Sequence, residues 1–575
     1  MSNAFVGEVR QSRTENVRRL CVKTSRYLCV FLLVAILTTV LFYLVKPYYD
    51  FMGRKGVMAQ SLGVVALLAV AIFAIILKMK GSLNAETAVV LILIGGYAIR
   101  LAYMLYTPVS VRQHDTYNRA LTGHEAYAWI IYSTGKLPTT NSYQFYHPPL
   151  NAAIQAGFMH IMNVLTEALQ NVFGLGNIIP SKYLAGMPSV KGNNYVGLTE
   201  YRYYLYSTTQ ILGVMWSFIT MITLVKTLKL LGVKGNALVG ISAVVVFFPR
   251  HIQFAGQVNN DAVAYMFQVL AIYFCLKWWK CGKNIFDLII CSLAIGFGMM
   301  SKISCAITAV PIGGVFIYEF ILAIIRETKK DESDIRLWKL VVGYVVFLAI
   351  CAPIGLWFQI YAYKNFGQKL GYVFGNLNHL LATDHHSFFE RMFITFDVEE
   401  WFGTLYCIPF CSEKNKVITS YNNYNLWLYL TRSALFGEFS YKGGECFAVT
   451  AYACSLIANI LLLASVVYAI VLFCKNGCKF AVEKNEIKNM VLIVTLAFTV
   501  IISEFAFYVK MPYACTQDFR YVMPLILGIP MIYYYSRRKI KAANTKVGNV
   551  LALSTDIAGA AVIVLMILFY CVCSA

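Results

Sequence analysis

The residues with the clearest chemical potential lie just beyond the third apolar run, in VRQHDTYNRALTGHEAYAWIIYSTGKLPTTNSYQFYHPPL. Two acid–histidine neighbours occur there, His114-Asp115 and His124-Glu125, followed by His147-Pro148-Pro149. Asp115, set near a membrane interface, could take a proton from an acceptor hydroxyl. A solvated loop carboxylate is the competing reading. Other candidates sit beside apolar runs. Arg100 lies within the third run, as a functional group or as a snorkelling side chain. Arg250-His251 closes the fifth run and Asn259-Asn260-Asp261 opens the sixth, where Asp261 reads first as a helix cap. Lys302 stands between two runs, suited to an anion, and Gln517-Asp518-Phe519-Arg520-Tyr521 precedes Pro524.

The elements that must position these groups are membrane helices. The chain is 59% hydrophobic and only 13% charged, against about 25% charged for a soluble domain. Apolar runs of spanning length lie near 27–45, 59–77, 87–106, 204–225, 235–249, 262–279, 284–300, 303–325, 338–361, 447–474, 489–509, 520–536 and 549–572. The expected fold is an all-α polytopic membrane protein of about thirteen transmembrane helices. A basic leader over 1–26 places the N-terminus in the cytoplasm, and alternate threading makes every later inside loop basic. That pattern accounts for most of the +21 charge without nucleic acid. Two spans fill 27–86, a transmembrane core covers 87–361, and C-terminal spans occupy 447–575. Two long segments, 107–203 and 362–446, fall outside, and loops of such length are usually functional. Within the first, 118–134 reads as an amphipathic surface helix ended by Gly135.

Threading assigns Asp115, His147, Asp261, Lys302, Asp518 and Arg520 to one leaflet. A transporter or flippase of lipid-linked glycans would place charge nearer the midplane, and a non-catalytic polytopic protein would need no such rim. The second outer segment contains Asp384-His385-His386 and Asp397-Val398-Glu399-Glu400-Trp401, then Phe436-Gly437-Glu438. It reads as interfacial helices forming a lid or acceptor platform. A divalent metal stays open, with no ligand spacing to support it. The 16 cysteines are scattered, and Cys407 and Cys411, which share a loop, read as unpaired thiols.

The order of Asp115, Gly135-Lys136-Leu137-Pro138, His147-Pro148-Pro149-Leu150, Asn259-Asn260-Asp261, Ser301-Lys302 and Arg520-Tyr521 with Pro524 resembles the GT-C membrane glycosyltransferases. The nearest branch is that of the protein O-mannosyltransferases and aminoarabinose transferases, which Arg100 also resembles. The resemblance implies a GT-C-type bundle in a plasma membrane. It implies transfer of a hexose or pentose from a polyprenyl-phosphate donor to a protein, lipid or glycan acceptor outside the cytoplasm, as in cell-envelope glycosylation. Asp115 would then be the base. Lys302 and Arg520 would hold the phosphate, with Arg100 and Arg250 as weaker candidates, Asp518 and Asp261 beside them, and His147 shaping the cavity. The family often has two adjacent acids where Asp115 is followed by Thr116, and its acid-to-glycine spacing is shorter. Both departures keep Glu125 open as the alternative base.

Overall fold

The computed structural model describes residues 25–46, 54–116, 121–173, 200–329, 337–372, 383, 386–402, 424–439, 441, 443–475 and 484–573. Helices and short 3-10 turns make up its regular structure, with no strand among these residues. In hydrocarbon a helix satisfies its own backbone polar groups, so apolar runs of spanning length have this one open-ended solution.

The first helices are α1 (Ser25–Val45), α2 (Arg54–Met79) and α3 (Ala85–Tyr106). Then follow α4 (His124–Thr134), α5 (Leu150–Phe173), α6 (Glu200–Ser207), α7 (Gln210–Leu230), α8 (Gly235–Val246) and the single turn α9 (Pro249–Gln253). The middle of the chain forms α10 (Asp261–Lys280), α11 (Ile285–Ser301), α12 (Ala309–Thr328) and α13 (Leu337–Phe366). Short helices α14 (Phe388–Met392), α15 (Val398–Phe402) and α16 (Leu426–Phe436) lead to α17 (Glu445–Lys475), α18 (Lys484–Lys510), α19 (Leu525–Ala543) and α20 (Lys546–Val572). Among the described residues, ten helical stretches are long and apolar enough to cross a membrane. Two shorter apolar helices, α8 and α11, and the more polar α19 fill the remaining expected spans.

Helices α3, α7 and α10 are largely enclosed by the bundle, whereas α1, α2, α17 and α20 leave most of their surface outside it. Close crossings depend on small residues. A Cβ on Gly96 of α3 would lie 2.2 Å from Val246 of α8, and one on Gly213 of α7 would meet the carbonyls of Phe254, Ala255 and Gln257 at 3.0 Å.

Two expectations need correction, and one helix is new. The amphipathic helix begins at His124 rather than 118, because residues 121–123 are not helical and 117–120 lie outside the described residues. Gly135 does end it, with φ 65°. The first outer segment also holds α5, a 24-residue amphipathic helix that the sequence reading does not single out. The span expected at 520–536 starts at Leu525, since two 3-10 turns take up Ala514–Gln517 and Phe519–Val522. Asp384, His385, Cys407, Cys411 and nearly all of the basic leader lie outside the described residues. His386 stacks on Tyr424, and the described cysteines are free.

Candidate active site

The end of α3, the α8–α10 connection, the α11–α12 junction, the end of α16 and the turns before α19 meet at one end of the bundle. There Lys302 Nζ contacts Asp261 Oδ1. Asp261 Oδ2 lies 3.9 Å from Arg520, whose other terminal nitrogen is 4.0 Å from Glu438 Oε2. Glu438 accepts from His114 Nδ1 at 2.8 Å, and His114 Nε2 faces Arg250 at 3.0 Å. Arg250 donates to both oxygens of Asp518 at 2.8 Å. Asp518 Oδ1 accepts from the Arg520 backbone N–H at 2.7 Å. Three cations and three carboxylates thus form one network, with Arg250 and the three carboxylates buried and Lys302 and Arg520 half-buried at its edge.

This network defines protonation. A guanidinium only donates, so His114 Nε2 must accept and Nδ1 must carry the proton given to Glu438. Burial and the guanidiniums of Arg520 and Arg250 hold the His114 pKa well below the ordinary histidine range, which keeps the ring neutral. Burial pushes the Glu438 and Asp518 carboxyl groups up, and Arg250 and Arg520 oppose it.

The two arginines differ in how their donors are used. Arg250 is wholly buried and gives hydrogen bonds to Gln253 at 2.5 Å, to His114 and to Asp518. Gly437 makes room for it: φ is 65°, and a Cβ there would sit 2.3 Å from the guanidinium. Arg520 has one side-chain hydrogen bond, to the Tyr521 hydroxyl at 3.0 Å, and its buried Nε has no partner. Both neighbouring carboxylates stand beyond hydrogen-bond reach of it. Lys302 gives one N–H to Asp261 and lies 4.6 Å from the Tyr521 ring centroid. Arg250 shares an unpartnered Nε with Arg520, but its terminal nitrogens are engaged by Gln253, His114 and Asp518, whereas Arg520 spends its terminal nitrogens on the Tyr521 hydroxyl alone. Arg520 and Lys302 thus keep donors for an anion.

Asp115 is exposed beside this network. Its carbonyl and that of Thr116 accept from the first two N–H groups of α4, at 3.0 and 3.1 Å, which satisfies orphan donors of that helix start. Gly123 permits the approach, since a Cβ would meet the Thr116 carbonyl at 2.4 Å. Tyr143 donates to the Asp115 carboxylate at 2.6 Å. Arg112, Asp115, Leu121 and Tyr143 all have φ between 47° and 54°, a conformation costly for most residues and concentrated at functional sites. His124 lies within electrostatic reach of Asp115 and also of Asp261, Lys302 and Arg520. It stacks on His147 with ring centroids 5.7 Å apart. Burial holds the His124 pKa down to about 4 and that of His147 well below its ordinary range.

The remaining expected residues have the following partners. Glu125 is buried and receives a two-pronged bond from Arg202, at 2.6 and 2.7 Å, which engages both oxygens. Arg100 is buried rather than snorkelling, and it binds the carbonyls of Gly96 and Val246 at 2.9 and 2.7 Å. Its charge thus sits at the C-terminal end of α8, where a cation is favoured, and not on the anion-facing pair. Asp261 makes no side-chain cap on α10; its carboxylate turns to Lys302 instead. Sequence reasoning missed the pairing roles of His114 and Glu438, and it missed Glu504. Glu504 lies on α18, buried, with Oε1 unpartnered and within electrostatic reach of Asp518, Lys302 and Arg520. Among the described residues, His114, Glu438 and Asp518 form the one group close enough to hold a metal ion. Arg250 already faces His114 Nε2 and both Asp518 oxygens, so a divalent cation there would have to displace a guanidinium.

Residues 208–357 match the family described as dolichyl-phosphate-mannose-protein mannosyltransferase. No curated protein and no solved structure matches the chain. The matched stretch carries Arg250, Asp261 and Lys302. It supports a GT-C membrane glycosyltransferase, in agreement with the all-helical membrane architecture.

Proposed function

We propose that this protein transfers a sugar from a polyprenyl-phosphate-linked donor to a hydroxyl of a protein, lipid or glycan acceptor on the non-cytoplasmic side of the membrane. The observation that carries the reading is the half-buried Arg520 and Lys302, with donors left unengaged, on the same rim as Asp115. A guanidinium and an ammonium suit the oxygens of a phosphate. The sidedness rests on the basic loops at the opposite end of the bundle.

In this mechanism Asp115 removes the proton from the acceptor hydroxyl as its oxygen attacks the anomeric carbon. A glycosidic C–O bond forms and the sugar–phosphate C–O bond breaks. The electron pair leaves on the polyprenyl phosphate, where Lys302 and Arg520 stabilise the growing charge, and no general acid is needed. The proton then passes from Asp115 to solvent. Tyr143 and the backbone bonds of residues 115–116 aim the carboxylate. With both its oxygens held by Arg202, Glu125 is the weaker choice for this step.

The test is transfer by the full chain in lipid, using a polyprenyl-phosphate sugar and an acceptor mixture. Asp115→Asn should reduce turnover about 100-fold or more, the range for loss of a positioned base, with little change in donor binding. Wild-type turnover in that variant would remove Asp115 from the mechanism.

A further inference from the structure

Asp261 raises a problem that the transfer reading does not answer. A carboxylate occupies the position on Lys302 that a donor phosphate would need. It is buried and does not cap its own helix. The Asn259 amide donates to its Oδ2 at 3.0 Å, which holds the carboxylate toward the cations. Arg520, with an unpartnered buried Nε, stands 3.9 Å away on the other side. Cations built only to bind phosphate would gain nothing from a neighbouring acid. Cations that must bind one anion and then release a more highly charged one would.

We infer that Asp261 is a built-in counter-ion, which neutralises Lys302 in the empty site, yields to the donor phosphate, and limits affinity for the released polyprenyl monophosphate. The inference rests on the polyprenyl-phosphate reading. A sugar phosphodiester carries one negative charge, whereas a phosphate monoester carries about 1.5 to 2 at neutral pH. A fixed carboxylate beside the two cations therefore repels the product more than the donor. Asp261 acts in this scheme as a specificity-determining residue that favours a singly charged anion and speeds product release.

The experiment is a binding titration of the full chain in lipid nanodiscs with polyprenyl monophosphate, which needs no turnover. Asp261→Asn should bind the monophosphate about tenfold more tightly than wild type, as expected for removal of a nearby like charge worth ~1.4 kcal/mol. Asp261→Ser, a compatible helix-start residue, should do the same, and Lys302→Met should weaken binding. Tightening by both Asp261 variants supports the counter-ion. Binding by wild type with unchanged or weaker binding by both variants overturns it and makes Asp261 a positioning residue for Lys302. Absence of binding by every form overturns the polyprenyl-phosphate reading along with the counter-ion.

Discussion

Both ends of the bundle carry ion pairs, and apart from the Lys283–Glu319–Lys488 group, whose Glu319 is buried, the cations of the basic end are the more exposed. At the basic end, Lys229 meets Glu86, Lys277 meets Asp287, Arg537 meets Asp556 and Arg538 meets Glu486, with cation side chains 38–52% exposed. At the other end the Arg250 and Asp518 side chains are 0% exposed, and Arg520, Glu438 and Asp261 are nearly as enclosed. Exposed pairs contribute little, since water solvates the charges equally well apart. A buried pair has lost that solvation, and breaking it strands a charge. The basic end reads as the consequence of topology. The buried end is held against a large desolvation cost, which is a reason to seek its purpose in ligands.

The contrast is sharpest between the two arginines of the buried end. Arg250→Met should destabilise the full chain by about 3–5 kcal/mol, because Asp518 loses its partner inside the network. Thermal unfolding in detergent reads this directly. Arg520→Leu should destabilise the chain less than Arg250→Met, since its carboxylate neighbours stand at 3.9 and 4.0 Å, and should lower transfer about 100-fold, as removal of one donor to a developing oxyanion does. The reverse pattern, an unstable Arg520 variant and a stable but inactive Arg250 variant, would exchange their assigned roles.

The buried end should also show its character in pH. His124 has a folded-state pKa of about 4, lowered by burial, against an unfolded value near 6.5. The unfolded chain therefore takes up a proton first as pH falls. The stabilising effect of the neutral ring is present above about pH 6.5 and is lost progressively toward pH 4. Between pH 6.5 and 5.5 this one residue should cost about 1 kcal/mol. His124→Gln should remove that part of the pH dependence in thermal unfolding. An unchanged slope would mean that the ring is solvated enough to be protonated in the folded protein.

The two ends were also unequally legible in the sequence. Apolar runs and Lys–Arg placement give the spans because the bilayer imposes one length scale and one charge bias. The span near 520 is the exception: YVMPLIL reads as apolar throughout, yet the chain turns until Pro524 before its helix begins. Asp261, Lys302, Asp518, Arg520 and Arg250 could be assigned to one end because each borders a span. Glu438 could not, since no spacing links it to His114; only the folded chain brings them to 2.8 Å. Glu504 was within reach of the rule that singled out Arg100, a charge well inside a span, and acids deserved the same scrutiny as bases. The left-handed backbone of Asp115 and the Arg202 bond to Glu125 depend on packing that periodicity does not encode.

The smallest effect is expected at the basic end, and it tests the comparison most fairly. Arg538 donates to Glu486 at 2.5 Å, as short a bond as Arg250 makes to Gln253. If length decided strength, the two contacts would matter equally. The Arg538 side chain is 52% exposed, so its alternative is full hydration rather than a stranded charge. A double-mutant cycle with Arg538→Met and Glu486→Gln should return a coupling of about 0.2–1 kcal/mol, shrinking as salt is raised through the range where the Debye length falls below about 8 Å. The Arg250–Asp518 cycle should resist the same salt, because ions do not enter its surroundings. A coupling above about 2 kcal/mol for Arg538 and Glu486, insensitive to salt, would mean that burial does not separate the two ends and that distance does.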